Sequence, residues 1–184
     1  MRAGIFRAVL GFALVTTGCV PSLHPLFTEK TLIFDPALLG NWGNEDQGDK
    51  WSFIRSGENG YAVEYTQEGE ARKFEAHLVQ LGKFRFLDLL PGDLEAKNEL
   101  YKVHFIPAHT GSRVWIEGDV LRIALMDDTW LKSVLSAKPG SVAHENLGDL
   151  IVLTAPTPKL QEFFSKFAED EGAFPNRGEW RRLK

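Results

Sequence analysis

The stretch WSFIRSGENGYAVEYT, residues 51–66, decides the fold of this chain. Apolar and polar side chains alternate on both sides of an Asn-Gly pair, a combination that strongly favours a tight hairpin turn. Trp51 and Phe53 share one face before the turn, and Tyr61 and Tyr65 share one face after it. A period of two is typical of a strand that buries one face. The stretch therefore predicts an antiparallel β-hairpin.

The same alternation recurs throughout residues 50–126. Turn residues separate the apolar runs about every 8–12 positions, and the later runs occupy residues 74–81, 84–90, 101–106, 113–116 and 120–126. Short strands at this spacing are typical of all-β sandwiches and barrels. We therefore expect a mainly β fold, an antiparallel β-barrel or a strongly bent sheet.

Aromatic side chains are the residues of these predicted strands that say most about a binding site or a core. The candidates for a ligand pocket or for the core are Trp42, Trp51, Phe53, Tyr61, Tyr65, Phe86 and Tyr101. A barrel of about eight strands has an interior that side chains fill or that holds one small apolar ligand. The residues themselves leave both outcomes open.

The hydrophobic period changes after residue 126 and predicts two helices. The apolar face of the first comprises Trp130, Leu131, Val134 and Leu135, and Asp127 or Asp128 is placed to cap it. The apolar face of the second comprises Leu160, Phe163, Phe164 and Phe167, with Pro158 at its start. We expect one or both helices to pack on the sheet.

Residues 1–18 have the features of a secretory signal. Arg2 and Arg7 precede an apolar run, and a small residue precedes Cys19, which is the single cysteine of the chain. The apolar run is roughly half the ~20 residues that a membrane-spanning helix needs. We therefore expect the chain to be cleaved before Cys19. Two interpretations of this cysteine remain: it is modified after cleavage, or it is incidental to an ordinary secretory signal.

The stretch LVTTGC, residues 14–19, resembles the bacterial lipobox, in which the cysteine becomes lipid-modified and forms the new N-terminus. The runs CVPSLHPLF, residues 19–27, and FDPALLGNW, residues 34–42, resemble a family of uncharacterised bacterial lipoproteins, and FEAHLVQLG, residues 74–82, and FLDL, residues 86–89, fit the same likeness. The resemblance implies lipid attachment at Cys19. It also implies a location in the bacterial cell envelope, facing the periplasm or the exterior, with the outer membrane favoured. It implies no catalytic residue.

A short helical turn followed by Gly40-Asn41-Trp42 resembles the opening of the lipocalin-like barrels. In those proteins the tryptophan plugs the closed end, so the resemblance implies a buried Trp42 at one end of the sheet. The predicted organisation is a signal peptide over 1–18, a lipid-anchored tether over 19–33, a single β-rich domain over 34–170 and a polar C-terminal tail over 171–184.

Charge and composition restrict the partners. The formal net charge is −4, and loss of Arg2 and Arg7 with the signal makes the chain more acidic. An acidic domain lacks the basic face that nucleic acid requires, so membrane contact is expected through the N-terminal lipid. No cofactor or metal is predicted, because the glycines occur at turns and the five histidines, at 24, 77, 104, 109 and 144, lack metal-ligand spacing.

Two functional hypotheses remain. The first is a non-enzymatic binding or interaction module for a small apolar ligand or another envelope protein. The second is a hydrolase that acts on an envelope polymer through paired carboxylates, for which the candidates are Asp88 with Asp93 or Glu95, Asp127 with Asp128, and Glu45 and Asp46 with Asp49. We prefer the first, because aromatic strand faces emerge from the sequence and a catalytic constellation does not.

Overall fold

The computed structural model describes residues 19–44, 48–92, 98–175 and 177–184. The predicted signal peptide, residues 1–18, lies outside the described residues. Twelve strands form one sheet, and in chain order they are β1 (Pro21–Ser22), β2 (Leu32–Ile33), β3 (Gly40–Gly43), β4 (Lys50–Ser56), β5 (Gly60–Gln67), β6 (Glu70–Leu81), β7 (Phe84–Pro91), β8 (His109–Glu117), β9 (Val120–Leu125), β10 (His144–Leu147), β11 (Leu150–Leu153) and β12 (Arg177–Arg182).

Eight of the strands close into a barrel. Strands β3 to β9 each pair antiparallel with the next, and β12 closes the ring between β9 and β3. The fold is therefore mainly β, an antiparallel closed barrel of the lipocalin-like kind, as the alternation predicts. The 3-10 helix Pro36–Leu38 precedes β3, and three short helices are α1 (Glu99–Lys102), α2 (Asp128–Ala137) and α3 (Thr157–Lys166).

The barrel wall separates two apolar cores. The inward face of the strands buries Phe53, Tyr61 and Leu121 among others. On the outer face, α2 and α3 cover a second core around Phe86 and Phe164, whose ring centroids are 5.7 Å apart. Both predicted helices thus pack on the sheet through their predicted apolar faces.

The closed end of the barrel is built around Trp42. Its indole Nε1 donates a hydrogen bond to the carbonyl of Leu38 at 2.9 Å, and the side chain is fully buried. The guanidinium of Arg182 lies 4.2 Å from the Trp42 ring centroid and donates to the carbonyls of Leu39 and Ala37 at 2.8 and 2.7 Å. The predicted burial of Trp42 at one end of the sheet is confirmed.

The C-terminal segment is a barrel strand and not a polar tail, which corrects the prediction for residues 171–184. Trp180 points into the barrel and is buried, while Glu179 and Arg181 on the outer side form an ion pair at 3.1 Å. The outward charged residues give the segment a polar composition. The alternate residues Gly178, Trp180 and Arg182 face inward and pair with neighbouring strands, which the overall composition does not show.

Residues 19–33 are fixed to the barrel and do not form a free tether. Strand β1 pairs with β8 and β11, and β2 pairs with β6. Val20 and Leu26 are buried. The Leu26 amide donates to Asp88 Oδ2 at 2.7 Å, which gives this buried carboxylate a partner in the N-terminal segment.

The run 101–106 is not a strand, contrary to its alternating pattern. The Asn98 side-chain oxygen accepts a hydrogen bond from the Tyr101 amide at 2.9 Å and so begins the turn of α1. Tyr101 is 62% exposed and packs only against Phe105 among the aromatic residues that the structure describes. It therefore belongs to neither core.

Candidate ligand-binding cavity

A cavity of about 850 Å³ opens at the end of the barrel opposite the 3-10 helix. It lies where β5 and β7 end and where β8 and β12 begin, and we call this opening the mouth. Its aliphatic wall is formed by Leu89, Pro91, Ile123 and Leu125, with Pro175 at the edge. The interior is therefore filled at one end and hollow at the other, an alternative that the sequence left open.

Aromatic rings form the inner wall of the cavity. Trp51 lies 4.3 Å from Tyr65 and 5.9 Å from Trp180 between ring centroids, and the second pair is edge to face. Phe74 completes the aromatic lining. Gly178 makes room for this arrangement, because a Cβ at that position would overlap the Trp180 ring. Rings held by their neighbours in this way form a rigid apolar surface for a ligand.

Two polar atoms in this wall lack partners. The indole Nε1 atoms of Trp51 and Trp180 are buried, and neither has a hydrogen-bond acceptor among the described residues. Each side chain is only 7% exposed. Leaving a buried donor unpaired costs about 1–3 kcal/mol, and both atoms are closed to solvent, so an acceptor reaches either of them only if the surrounding side chains move.

One carboxylate is present in the described part of the cavity wall. Asp49 is buried, and its Oδ2 accepts a hydrogen bond from the Tyr65 hydroxyl at 2.7 Å and a longer one from Gln67 Nε2 at 3.4 Å. Burial raises the pKa of Tyr65, and the hydrogen bond to Asp49 raises it further. The phenol therefore stays protonated and holds the carboxylate at the edge of the cavity.

Cys19 lies on the rim of the cavity mouth. Its backbone bridges to Asp127, directly after the end of β9, and its side chain is exposed. Desolvation, reinforced by the nearby carboxylate of Asp128, raises the pKa of the Cys19 thiol. The sequence predicts the modification of Cys19 but does not predict its place beside a cavity.

The predicted aromatic residues divide into four groups. Trp51 and Tyr65 line the cavity, whereas Trp42, Phe53 and Tyr61 fill the barrel beneath it. Phe86 lies on the outer face under the helices. Tyr101 is exposed outside both cores.

Sequence reasoning missed Trp180, which lies in the predicted tail. The available signal was the inward alternation of Gly178, Trp180 and Arg182 described above. It also missed the aliphatic wall residues Leu89, Ile123 and Leu125, because their shared height in the barrel depends on the register of strands that are distant in sequence.

Asp127 with Asp128 is the proposed carboxylate pair whose members all lie in the described residues, and both of them serve helix α2. Asp88 lies on the outer face, where its Oδ1 is 2.7 Å from His109 Nδ1, and Asp127 caps α2 by accepting from the Trp130 amide at 2.6 Å. Asp128 pairs with Lys132 at 2.9 Å. The remaining candidates, Glu45, Asp46, Asp93 and Glu95, lie outside the described residues.

The described histidines and acidic residues include no group of three arranged to hold a metal ion. Within the same residues, no helix combines the length and the apolar character needed to cross a bilayer. Comparison with family models, with curated proteins and with solved structures gave no match to this chain.

Proposed function

We propose that this protein is a lipid-anchored protein of the bacterial cell envelope that binds a small apolar molecule in the barrel cavity and catalyses no reaction. The observation that carries the proposal is the cavity itself, whose aromatic and aliphatic wall includes Trp51 and Trp180. A concave, mostly apolar cavity with a few convergent polar groups is the usual form of a ligand site.

The wall indicates the chemistry of the ligand. An apolar body suits the rings of Trp51 and Phe74 and the aliphatic residues opposite them. A neutral polar group such as an ester or a hydroxyl suits the uncharged polar side chains of the wall, Gln67 and Thr110. A ligand that carries a carboxylate group is disfavoured, because the Asp49 carboxylate at the edge of the same cavity would repel it.

Binding is preferred over hydrolysis because the carboxylates are occupied. Asp49 accepts from Tyr65, and Asp127 and Asp128 serve the first turn of α2. General acid–base cleavage of a glycosidic bond needs two carboxylates across a cleft. The described part of the cavity wall supplies one carboxylate, that of Asp49, and its Oδ2 already accepts the hydrogen bond from Tyr65.

The proposal is tested by titrating a neutral monoacylglycerol into the purified protein and following tryptophan fluorescence. We expect saturable binding. Trp51→Phe and Trp180→Phe should each weaken it by about three- to tenfold, since each removes aromatic wall surface worth about 0.5–1.5 kcal/mol. Trp115→Phe is the matched control, because Trp115 faces outward on β8 beside Arg113. Equal affinity for all four proteins would contradict the proposed site.

The anchor is tested separately by the intact mass of protein extracted from membranes. The expected mass is that of residues 19–184 with an added diacylglycerol and acyl group. Cys19→Ser should abolish this addition and leave the precursor uncleaved or cut elsewhere. A mature form without added lipid would refute the anchor without affecting the cavity.

A further inference from the structure

The segment between β7 and β8 exposes an unusual number of apolar side chains. Over residues 98–106 the exposed fractions are 76% for Leu100, 62% for Tyr101, 71% for Val103, 42% for Phe105 and 72% for Ile106. We call this stretch the apolar segment. A contiguous exposed patch of this kind marks an interaction surface, whereas single exposed apolar residues do not.

The apolar segment belongs to the cavity end of the barrel. Pro91, the last residue of β7, and Thr110, near the start of β8, both line the mouth. The apolar segment leads directly into β8 and is therefore attached at the mouth. Cys19 lies on the same rim, so three features share this end: the apolar segment, the mouth and the proposed point of lipid attachment.

We infer that this end of the barrel docks on the surface of a lipid bilayer, with the apolar segment inserted at the interface and the cavity mouth opening onto the membrane. The partner is the bilayer itself. The docking rests on the proposed lipid at Cys19, and the passage of a ligand between membrane and cavity rests on the proposed binding in the cavity.

The attachment of the N-terminal chain supports the bilayer over other occupants. Val20 is buried, and Pro21 and Ser22 already pair with β8. One residue of chain spans at most about 3.6 Å, so a lipid on Cys19 has no slack with which to hold the barrel away from the surface. The mouth and the apolar segment must then face the membrane.

The charge of the chain determines how the segment would bind. The protein is acidic overall, with a formal net charge of −4. Attraction to anionic headgroups is therefore not available as the driving force. Insertion of apolar side chains remains, and it predicts binding to zwitterionic vesicles that is insensitive to salt.

An isolated domain allows docking to be measured without the lipid. Residues 20–184 contain every strand and helix described above and all the buried residues of both cores, so this part of the chain carries the complete fold. In flotation with phosphatidylcholine vesicles we expect it to bind, with equal bound fractions at low and high salt.

The decisive variant is the double substitution Val103→Asp with Ile106→Asp. Both side chains are exposed, so the thermal midpoint should not change, while the vesicle partition coefficient should fall by at least about tenfold. The matched controls are Ile54→Asp and Leu147→Asp, which place the same charge at exposed apolar positions on other parts of the surface, 65% and 63% exposed. They should float like the parent.

Three outcomes overturn the inference: no flotation of the parent, equal flotation of the double variant, or a dimer in sedimentation that the double variant dissociates while vesicle binding is absent. Monoacylglycerol titration of the same proteins without vesicles separates the two proposals. Binding in solution without flotation refutes the docking alone, and flotation without binding in solution refutes the cavity function alone.

Discussion

The two ends of the barrel use the same residue type in opposite ways. Trp42 and Trp51 are direct partners across β3 and β4, and both are buried. The indole Nε1 of Trp42 donates to the Leu38 carbonyl at the closed end, whereas the indole Nε1 atoms of Trp51 and Trp180, two residues of the cavity wall, have no acceptor among the described residues. The difference lies in hydrogen bonding and not in burial.

Strand β12 contributes to both ends within three residues. Arg182 stacks on Trp42 and bonds two carbonyls of the segment that closes the barrel. Trp180, two positions earlier on the same face, lines the cavity. A buried aromatic residue is therefore structural where its polar atom is satisfied and is a candidate for binding where that atom is not.

The largest expected effect is at the closed end. Trp42→Ala should lower the free energy of unfolding by about 3–5 kcal/mol, because it empties a fully buried site and removes the surface on which Arg182 stacks. Denaturant unfolding followed by circular dichroism measures it, with Ile54→Ala, at an exposed position, as the control. An unchanged midpoint for Trp42→Ala would contradict the role of Trp42 in closing this end of the barrel.

A smaller effect separates the two ends directly. Trp42→Phe, Trp51→Phe and Trp180→Phe remove similar volumes, but only the first breaks a hydrogen bond and leaves the Leu38 carbonyl unpaired. We expect Trp42→Phe to cost about 1–3 kcal/mol more than either of the others. Unfolding curves of the three variants under one condition provide the measurement. Equal losses would mean that the indoles of Trp51 and Trp180 are satisfied in solution.

Local pattern was sufficient for much of the fold. The period of two around residues 51–66 gave the inward face of β4 and β5, and the apolar stripe from Leu160 to Phe167 gave the packed face of α3. These features depend on neighbours within a few positions of the sequence. The hairpins β4 to β7 are consecutive, so their pairing followed from turn signals.

Closure and hollowness could not be predicted in this way. Closure joins β12 to β3 and β9, and the charged outer face of β12 resembles a solvated terminus. Tyr101 was misassigned because one side-chain bond from Asn98 outweighed a weak alternation. The cavity depends on residues from separate strands that meet at one level, including the small Gly178 beside Trp180. The local sequence pattern does not show which residues of separate strands lie at the same level.

The smallest expected effect concerns two tyrosines of the barrel interior, the buried Tyr61 and the half-buried Tyr65, one near each end. Burial raises the pKa of both. The Tyr65 hydroxyl also donates to the Asp49 carboxylate, which raises its pKa further, whereas the guanidinium groups of Arg85 and Arg55 oppose the rise at Tyr61.

A tyrosine whose pKa is raised on folding stabilises the fold fully below its ordinary pKa of 10.0. That stability is lost as the pH rises above this value, because the unfolded chain then releases a proton that the folded chain retains. We therefore expect thermal stability to decline above about pH 10. Tyr65→Phe should flatten this decline more than Tyr61→Phe does, since the Tyr65 hydroxyl donates directly to a carboxylate, whereas the hydrogen bond from Tyr61 to the Asp35 carbonyl and the two guanidinium groups oppose the rise at Tyr61. Lysines titrate in the same range and affect every variant alike, so the difference in slope between the two variants is the measurement. A steeper or equal slope for Tyr65→Phe would mean that Asp49 does not hold the Tyr65 proton in solution.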